Sequence, residues 1–384
     1  MTNKTSLTLT QAYAKQLSGT WPTKWYGRPL WTWGKNSSGG LGLGDTVSRS
    51  SPTQVGAGTE WQSVTSGGQP LGSTAAIKTD GTLWTWGNNT YGILGHGDDI
   101  GRSSPVQVGA LTNWKSVTFG PYNAAAIKTN GTLWTWGLGG VGTNGLGETT
   151  YRSSPVQVGA LTTWATVAIS SLTTAAIKTD GTLWTWGTNA YGQLGQGEAT
   201  TINRSSPVQV GISTAWKSVS GFGWIYVGSG ASFASTQISG TLWTWGRNVM
   251  GNLGQGEATT VNRSTPLQVG LLTDWKSVLT GDSTVNAVKT NGTFWTWGYT
   301  TDGATQGFRS SPVQLGALTN WSEPVYARGM AIKTDGTLWG WGNQANGEIG
   351  LGNTTNYVSP KQVGTLTTWL AVSSGGYISI GITG

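Results

Sequence analysis

The residues able to do chemistry are few, and their spacing brings no catalytic set together. The single histidine, His96, lies in "GILGHGDDIGR", where two parallel stretches of the chain carry Gln196 and Gln255. A position filled by glutamine elsewhere does not demand an acid, a base or a metal ligand, so His96 is expected to be a loop residue without a partner. Asp45, Asp98, Glu148, Glu198 and Glu257 each fall four to six residues before a recurring arginine, and local ion pairs in loops are the expectation. A calcium site needs several oxygens at close spacing, and only Asp98-Asp99 begins to offer that. The stretch "GLGGVGTNGLG" at 137–147 has the glycines of a phosphate loop but not the strand–helix setting such a loop requires. Cysteine is absent, which excludes thiolate nucleophiles, disulfides and cysteine metal sites. The expectation is a protein with no catalytic residues, no metal and no cofactor.

Charge points the same way. The formal charge is +7, yet the basic residues recur at fixed intervals: Arg49, Arg102, Arg152, Arg204, Arg263 and Arg309 in one series, Lys78, Lys128, Lys178, Lys289 and Lys333 in another. Even spacing predicts a solvated face on every repeat and argues against nucleic acid, which calls for a clustered basic stripe with stacking aromatics. No eighteen-residue apolar run is present, so no membrane insertion is expected. The first residues lack the apolar core of a signal peptide. A protein retained in its cell, or leaving it by lysis or another non-Sec route, is the expectation.

The elements that carry these residues repeat seven times. A tryptophan pair recurs at Trp31/Trp33, Trp84/Trp86, Trp134/Trp136, Trp184/Trp186, Trp243/Trp245, Trp295/Trp297 and Trp339/Trp341, at spacings of 53, 50, 50, 59, 52 and 44 residues. A third tryptophan recurs in phrases such as "RSSPVQVGALTNWKSV", so that repeats account for 21 of the 24 tryptophans. Each repeat reads as four short strands ("SPVQV", "WKSV", "AAIKT", "TLWTW") rich in β-branched and aromatic residues and bounded by glycine, proline or asparagine. Asp-Gly or Asn-Gly between the third and fourth predicts a two-residue type I′ hairpin. Four antiparallel strands every fifty residues predict the blades of an all-β, seven-bladed β-propeller. The first repeat starts at "LWTWG" (30–34), and the last stops at "SSGGYISIGITG" (373–384). Each end holds the strand the other lacks, so the ring is expected to close by pairing its N- and C-terminal strands. Within a strand, residues two apart share a face, so each tryptophan pair is expected to pack against smaller side chains of the neighbouring blade. The domain reading is a leader at 1–29 and a propeller at 30–384.

The segments "WGNNTYGILGHG" (86–97), "WGTNAYGQLGQG" (186–197) and "WGRNVMGNLGQG" (245–256), with "AAIKTDGTLWTWG" upstream, resemble the repeat of the regulator of chromosome condensation family. The resemblance spans roughly 30–384, implies the same seven-bladed ring, and is marked as the tryptophan-rich version found in bacterial and bacteriophage proteins. The exchange-factor activity of the name-giving member depends on loops with no match here. Secreted bacterial relatives use the loop face of the propeller to bind other proteins.

Departures from the repeat nominate contact residues. The fifth repeat inserts "SGFGWIYVGSGASFASTQISG", adding Phe222, Trp224, Ile225 and Tyr226. The leader carries Trp21, Trp25 and Tyr26, and one loop position holds Tyr91, Tyr191 and Met250 in three repeats. Aromatics beyond those a core needs mark interaction surface. The functional expectation is a non-enzymatic binding or structural propeller of a virion, such as a bacteriophage tail or capsid appendage, or of a cell surface. It would bind other proteins in the virion or outside the cell. The competing expectation is an intracellular protein–protein scaffold or a guanine-nucleotide-exchange-factor-like protein in the cytoplasm.

Overall fold

The computed structural model describes residues 27–384 apart from 68–71, 198–201, 223–231, 257–260, 282–283, 302–305, 326–328, 343 and 376. Its strands form seven four-stranded antiparallel sheets. In blade 2 the inner strand is Trp61–Gly67, followed outward by Ser73–Lys78, Leu83–Gly87 and Arg102–Gln107. Blades 3 to 7 repeat this order, with inner strands starting at Trp114, Trp164, Trp216, Trp275 and Trp321. Blade 1 is built from both chain ends. Its outer strands are Arg49–Gln54 and Leu30–Gly34, and its inner ones Ile378–Thr383 and Trp369–Gly375. Leu30 pairs with Ile382, Trp31 with Gly381 and Gly34 with Ile378, the closure the sequence predicted.

The innermost strands lie side by side in a cycle, and that of blade 1 adjoins those of blades 7 and 2. The core is divided into seven apolar clusters, one at each contact between blades. An open stack of seven blades has only six such contacts; the seventh closes the ring and removes both sheet ends from solvent. One cluster shows the packing rule. Ala75, Ile77 and Leu83 on one face of blade 2 meet Trp114, Trp136, Ala124 and Ala126 of blade 3. Large rings on one face fill the space left by small side chains on the next, as the two-residue period predicts.

The three tryptophans of a blade are not equivalent. Trp86 and Trp61 are buried, while Trp84, nearer the outside, is half-buried. Trp61 stands edge-on to both, with ring centroids 6.3 Å away in each case, the geometry aromatic quadrupoles favour. Thr85, between the pair, is fully buried and donates its hydroxyl to the Leu94 carbonyl at 2.7 Å, so no polar group is stranded.

The hairpin between second and third strands corrects the expected turn. Among the non-glycine residues described, only Tyr91, Ser171 and Tyr377 have positive φ, so Asp80 does not meet the type I′ requirement. The amide of Gly81 donates to the Lys78 carbonyl at 2.9 Å, and that of Lys78 to the Thr82 carbonyl at 3.0 Å. This is a three-residue turn ending in a left-handed glycine (φ 78°), which a Cβ would drive to 2.1 Å from the Thr112 carbonyl oxygen. Asp80 fastens it by accepting from the Thr82 amide (2.9 Å) and hydroxyl (2.7 Å), and the Thr82 oxygen then accepts the Trp84 indole N–H at 2.8 Å. Asn130, Thr132 and Trp134 form the same chain in blade 3.

Candidate partner-binding surface

Strand direction sorts every loop to one of two ends of the ring. Inner strands run from tryptophan to glycine and second strands return, so Gly67 and Gly87, and the strand ends equivalent to them, lie at one end, the loop face. The three-residue hairpins and the connections between blades lie at the other, the turn face.

The long loop between third and outer strands is a latch onto the next blade. In blade 2 the Asn89 side chain accepts from the Leu94 amide (2.8 Å) and donates to the Asp98 carbonyl (2.9 Å), which curls the loop around it. Gly92, at φ 63°, lies so close to blade 3 that a Cβ would come within 2.5 Å of Ser153 Cα. The Ile93 carbonyl accepts the indole N–H of Trp136 at 2.7 Å, and the Gly97 amide donates to the Ser153 carbonyl at 2.8 Å. Trp33, Trp86, Trp186, Trp245 and Trp297 donate to the preceding blade's loop in the same way.

This latch places the nominated residues. Tyr91 is 42 % exposed, and its ring meets Tyr122 of blade 3 edge-on at 5.3 Å. Tyr191 is half-buried beneath the guanidinium of Arg247 in blade 5, 4.5 Å from its ring centroid. Met250 is half-buried, its amide donating to the Asn252 side chain at 3.3 Å. The three therefore share a face but belong to blades 2, 4 and 5, and the two tyrosines also serve contacts between blades. Phe222 ends the inner strand of blade 5 at this same face. Trp224, Ile225 and Tyr226, like Trp21, Trp25 and Tyr26 of the leader, lie outside the described residues.

Blade 6 supplies residues that the sequence reading passed over. It replaces the latch with an extended hairpin in which Tyr299 pairs with Phe308 and Thr301 with Gln306. Tyr299 and Phe308 are 38 % and 57 % exposed, with ring centroids 5.5 Å apart. The signal was legible: the 44-residue spacing and "WGYTTDGATQGFRS" both announce a missing motif. Val47, Ile100, Ile202 and Val261, each two residues before a recurring arginine, add exposed apolar surface to this rim.

Electrostatics here are local. Arg49 pairs with Asp45 at 2.7 Å, Arg102 with Asp98 at 2.8 Å, and Arg152 with Glu148, as the spacing predicted. Glu198 and Glu257 lie outside the described residues. A backbone hydrogen bond from Ile100, followed by the bond from Arg102, lowers the pKa of Asp98. His96 is not partnerless: its Nε2 lies 2.9 Å from the Thr85 hydroxyl, where Gln196 and Gln255 bond Thr185 and Thr244. Burial, then the nearby Arg102 charge, lowers its pKa.

The lysine series corrects a second expectation. These side chains are not a solvated face. Lys128 and Lys178 are 5 % and 9 % exposed, and each ammonium is clamped between two tryptophan rings at the turn face. Lys128 Nζ lies 4.8 Å from the Trp114 centroid and 3.6 Å from that of Trp134. Lys78, Lys289 and Lys333 are held in the same way. Blade 1 has Thr383 at the equivalent position, and its hydroxyl instead accepts the Trp31 indole N–H at 3.1 Å.

Among the described residues no group of three or more His, Asp or Glu could hold a metal ion, and no helix is long and apolar enough to cross a membrane.

Comparison with known proteins agrees with this architecture. The model of the regulator of chromosome condensation (RCC1) repeat matches residues 29–70, 80–127, 180–235, 239–288 and 335–382, and a second model of that repeat matches 164–193. The Arabidopsis thaliana ultraviolet-B receptor UVR8 is 40 % identical over 79 residues, 20 % of this chain and 17 % of the receptor. The human E3 ubiquitin-protein ligase HERC2 is 36 % identical over 95 residues, 23 % of this chain and 2 % of the ligase. The matched segments are thus a small part of either relative. Among solved structures, human WBSCR16 superposes with a TM-score of 0.80 at 18 % identity, covering 93 % of this chain and 98 % of that one. Yeast RCC1 (Prp20), solved with Kap60, gives 0.78 at 18 % identity, covering 93 % and 89 %. These relatives are plant, yeast and mammalian proteins. They overturn the expected bacterial or bacteriophage version of the repeat, and with it the virion or cell-surface role and the virion or extracellular location. With repeat matches spread over more than half its length, the chain belongs to the regulator of chromosome condensation (RCC1) repeat family.

Proposed function

We propose that the protein is an intracellular, non-catalytic scaffold whose rigid ring presents the loop face to a protein partner. The observation that carries this reading is a convergence of departures on one face. Phe222 at the end of the blade 5 inner strand, the Tyr299–Phe308 hairpin of blade 6 and the loops bearing Tyr91, Tyr191 and Met250 all lie at the same ends of the strands. Exposed aromatic side chains give large contact area at small entropic cost, which is why they dominate interface energetics. Relatives support the class: Prp20p is described with binding to Gsp1p and histones, and as a complex with Kap60. In this reading Phe222, Trp224, Ile225 and Tyr226 form the central contact. The leader residues Trp21, Trp25 and Tyr26 form a second.

The test is site-specific photo-crosslinking in cells. A photoreactive residue at position 91, 226 or 308 is expected to trap a discrete partner, and one at Leu111 or Leu161 on the turn face is not. The double substitution Trp224→Ala with Tyr226→Ala is expected to abolish trapping at position 308 while leaving the melting temperature within about 2 °C, as surface changes do. Trapping confined to the turn face would overturn the proposal.

A further inference from the structure

We propose that the joint between blades 6 and 7 is the seam of the ring, the contact at which neighbouring blades part reversibly while the other six stay shut. It is a property of the ring itself and does not depend on which face meets a partner.

At every other joint two hydrogen bonds cross from a latch to the next blade. In one, a latch glycine amide donates to a carbonyl of the next outer strand, as Gly97 does to Ser153 and Gly352 to Ser50, each at 2.8 Å. In the other, the next blade's innermost repeat tryptophan donates its indole N–H to a latch carbonyl, as Trp297 does to Asn252 at 3.0 Å and Trp33 to Glu348 at 2.8 Å.

Blade 6 sends no such latch to blade 7. Its third and outer strands stay paired for three residues beyond Gly298 and Arg309, from Tyr299–Phe308 to Thr301–Gln306. That carries them about 10 Å past the point where the other blades turn onto a neighbour. The sequence agrees, since "YTTDGATQGF" at 299–308 lacks the Leu-Gly-x-Gly of a latch. Thr85 and its counterparts in blades 1 to 5 donate their hydroxyls to a latch carbonyl, whereas Thr296 of blade 6 donates to the Asn286 side chain at 2.9 Å.

The receiving side has changed with it. The serine that meets the latch elsewhere is Val358 in blade 7, and it is 50 % exposed. No described residue of blade 6 donates to the Val358 carbonyl or accepts from the Trp341 indole. That indole is covered from within its own blade: a Cβ on Gly329 would lie 2.7 Å from Trp341 Nε1. Elsewhere the covering glycine belongs to the preceding blade, as Gly254 does over Trp297, where the same distance would be 2.8 Å. The cover that ties two blades together at the other joints here ties blade 7 to itself.

What holds the seam is apolar packing and one inner ion pair. Phe294 replaces the leucine of the other blades and stands edge-on to Trp321 and Trp341, with centroids 5.7 and 5.3 Å away. On the inner strands Lys276 donates to the Ser322 carbonyl at 2.8 Å and pairs with Glu323 at 3.1 Å. A joint tied on the inside and unlatched on the outside opens as a hinge, its outer strands parting first. Contacts with few cross-links supply the low-energy openings of a native structure.

The test exploits a chain without cysteine. Ala331→Cys places a thiol in the seam cluster, while Ala126→Cys and Ala176→Cys place it at the same position between blades 2 and 3 and between blades 3 and 4. All three alanines are fully buried, so a thiol reagent reaches these positions only when blades part. Each net hydrogen bond shifts an opening equilibrium by roughly two- to tenfold, so the native protein is expected to be labelled about tenfold faster, or more, at position 331 than at 126 or 176. Deuterium exchange of indole N–H groups makes the comparison without a core substitution. Trp341, Trp136 and Trp186 are at most 2 % exposed, and Trp341 is expected to exchange faster than the other two by the same margin. Equal labelling at the three positions, or faster labelling at 126 or 176, would overturn the proposal. So would a Trp341 indole that exchanges no faster than those of Trp136 and Trp186.

Discussion

The ammonium of Lys128 sits 3.6 Å from the ring centroid of Trp134, inside a cage completed by Trp114. Two opposed effects meet there. Burial disfavours the charged amine, and the faces of the two indoles stabilise it, by up to about 2 kcal/mol when desolvated. The cage recurs around Lys78, Lys178, Lys289 and Lys333, which makes it a construction element of the turn face.

Burial lowers the pKa of Lys128 and Lys178 below the ordinary lysine value of 10.5. In this window the unfolded chain binds more protons than the folded one, so the contribution of these two lysines to stability rises with pH. The rise runs from the depressed folded value up to 10.5. Titrating the lysine 13Cε shifts, with Lys128→Met and Lys178→Met for assignment, is expected to give two midpoints below those of exposed lysines. Midpoints at or above 10.5 would show that the tryptophan faces outweigh burial.

Two tryptophans one residue apart are expected to differ in weight. Trp136 is fully buried between blades 2 and 3, and Trp136→Ala is expected to cost about 3–5 kcal/mol as a large core truncation. Trp134 is half-buried, and Trp134→Ala is expected to cost roughly 1–3 kcal/mol, through lost packing and the opened Lys128 cage. Urea unfolding of both variants measures the order, and equal losses would contradict the layered packing described here.

Ring closure is expected to govern cooperativity. Removing residues 378–384 takes away the strand that joins Leu30–Gly34 to Trp369–Gly375, leaving each with an unpaired edge. The truncated protein is expected to unfold with non-coincident circular dichroism and fluorescence transitions and a reduced urea m-value. An unchanged midpoint and slope would mean that the seventh blade contact adds nothing.

Local patterns determined what could be read from the chain alone. The two-residue spacing of Trp84 and Trp86 placed both rings on one face, and the fifty-residue period made that face a blade wall. The split of one blade between "LWTWG" and "YISIGIT" required the ends to meet, because an unpaired strand edge is unstable. Asp98 and Arg102, four residues apart, could be paired because the contact lies within a single loop.

Tertiary structure decided whatever depends on register or on a neighbouring blade. Lys78 looked solvated because nothing in its own strand neutralises it; only antiparallel pairing sets it opposite Trp61, with Trp84 beside them. Asp80-Gly81 suggested a two-residue turn, but the Lys78–Thr82 pairing widened the loop to three residues and left positive φ to the glycine alone. Tyr91 read as a free loop residue, yet the latch of blade 2 over Ser153 carries it against Tyr122 of blade 3. A sequence records which side chains a strand presents. The ring decides which strand they meet, because each face of a blade is covered by residues about fifty positions away.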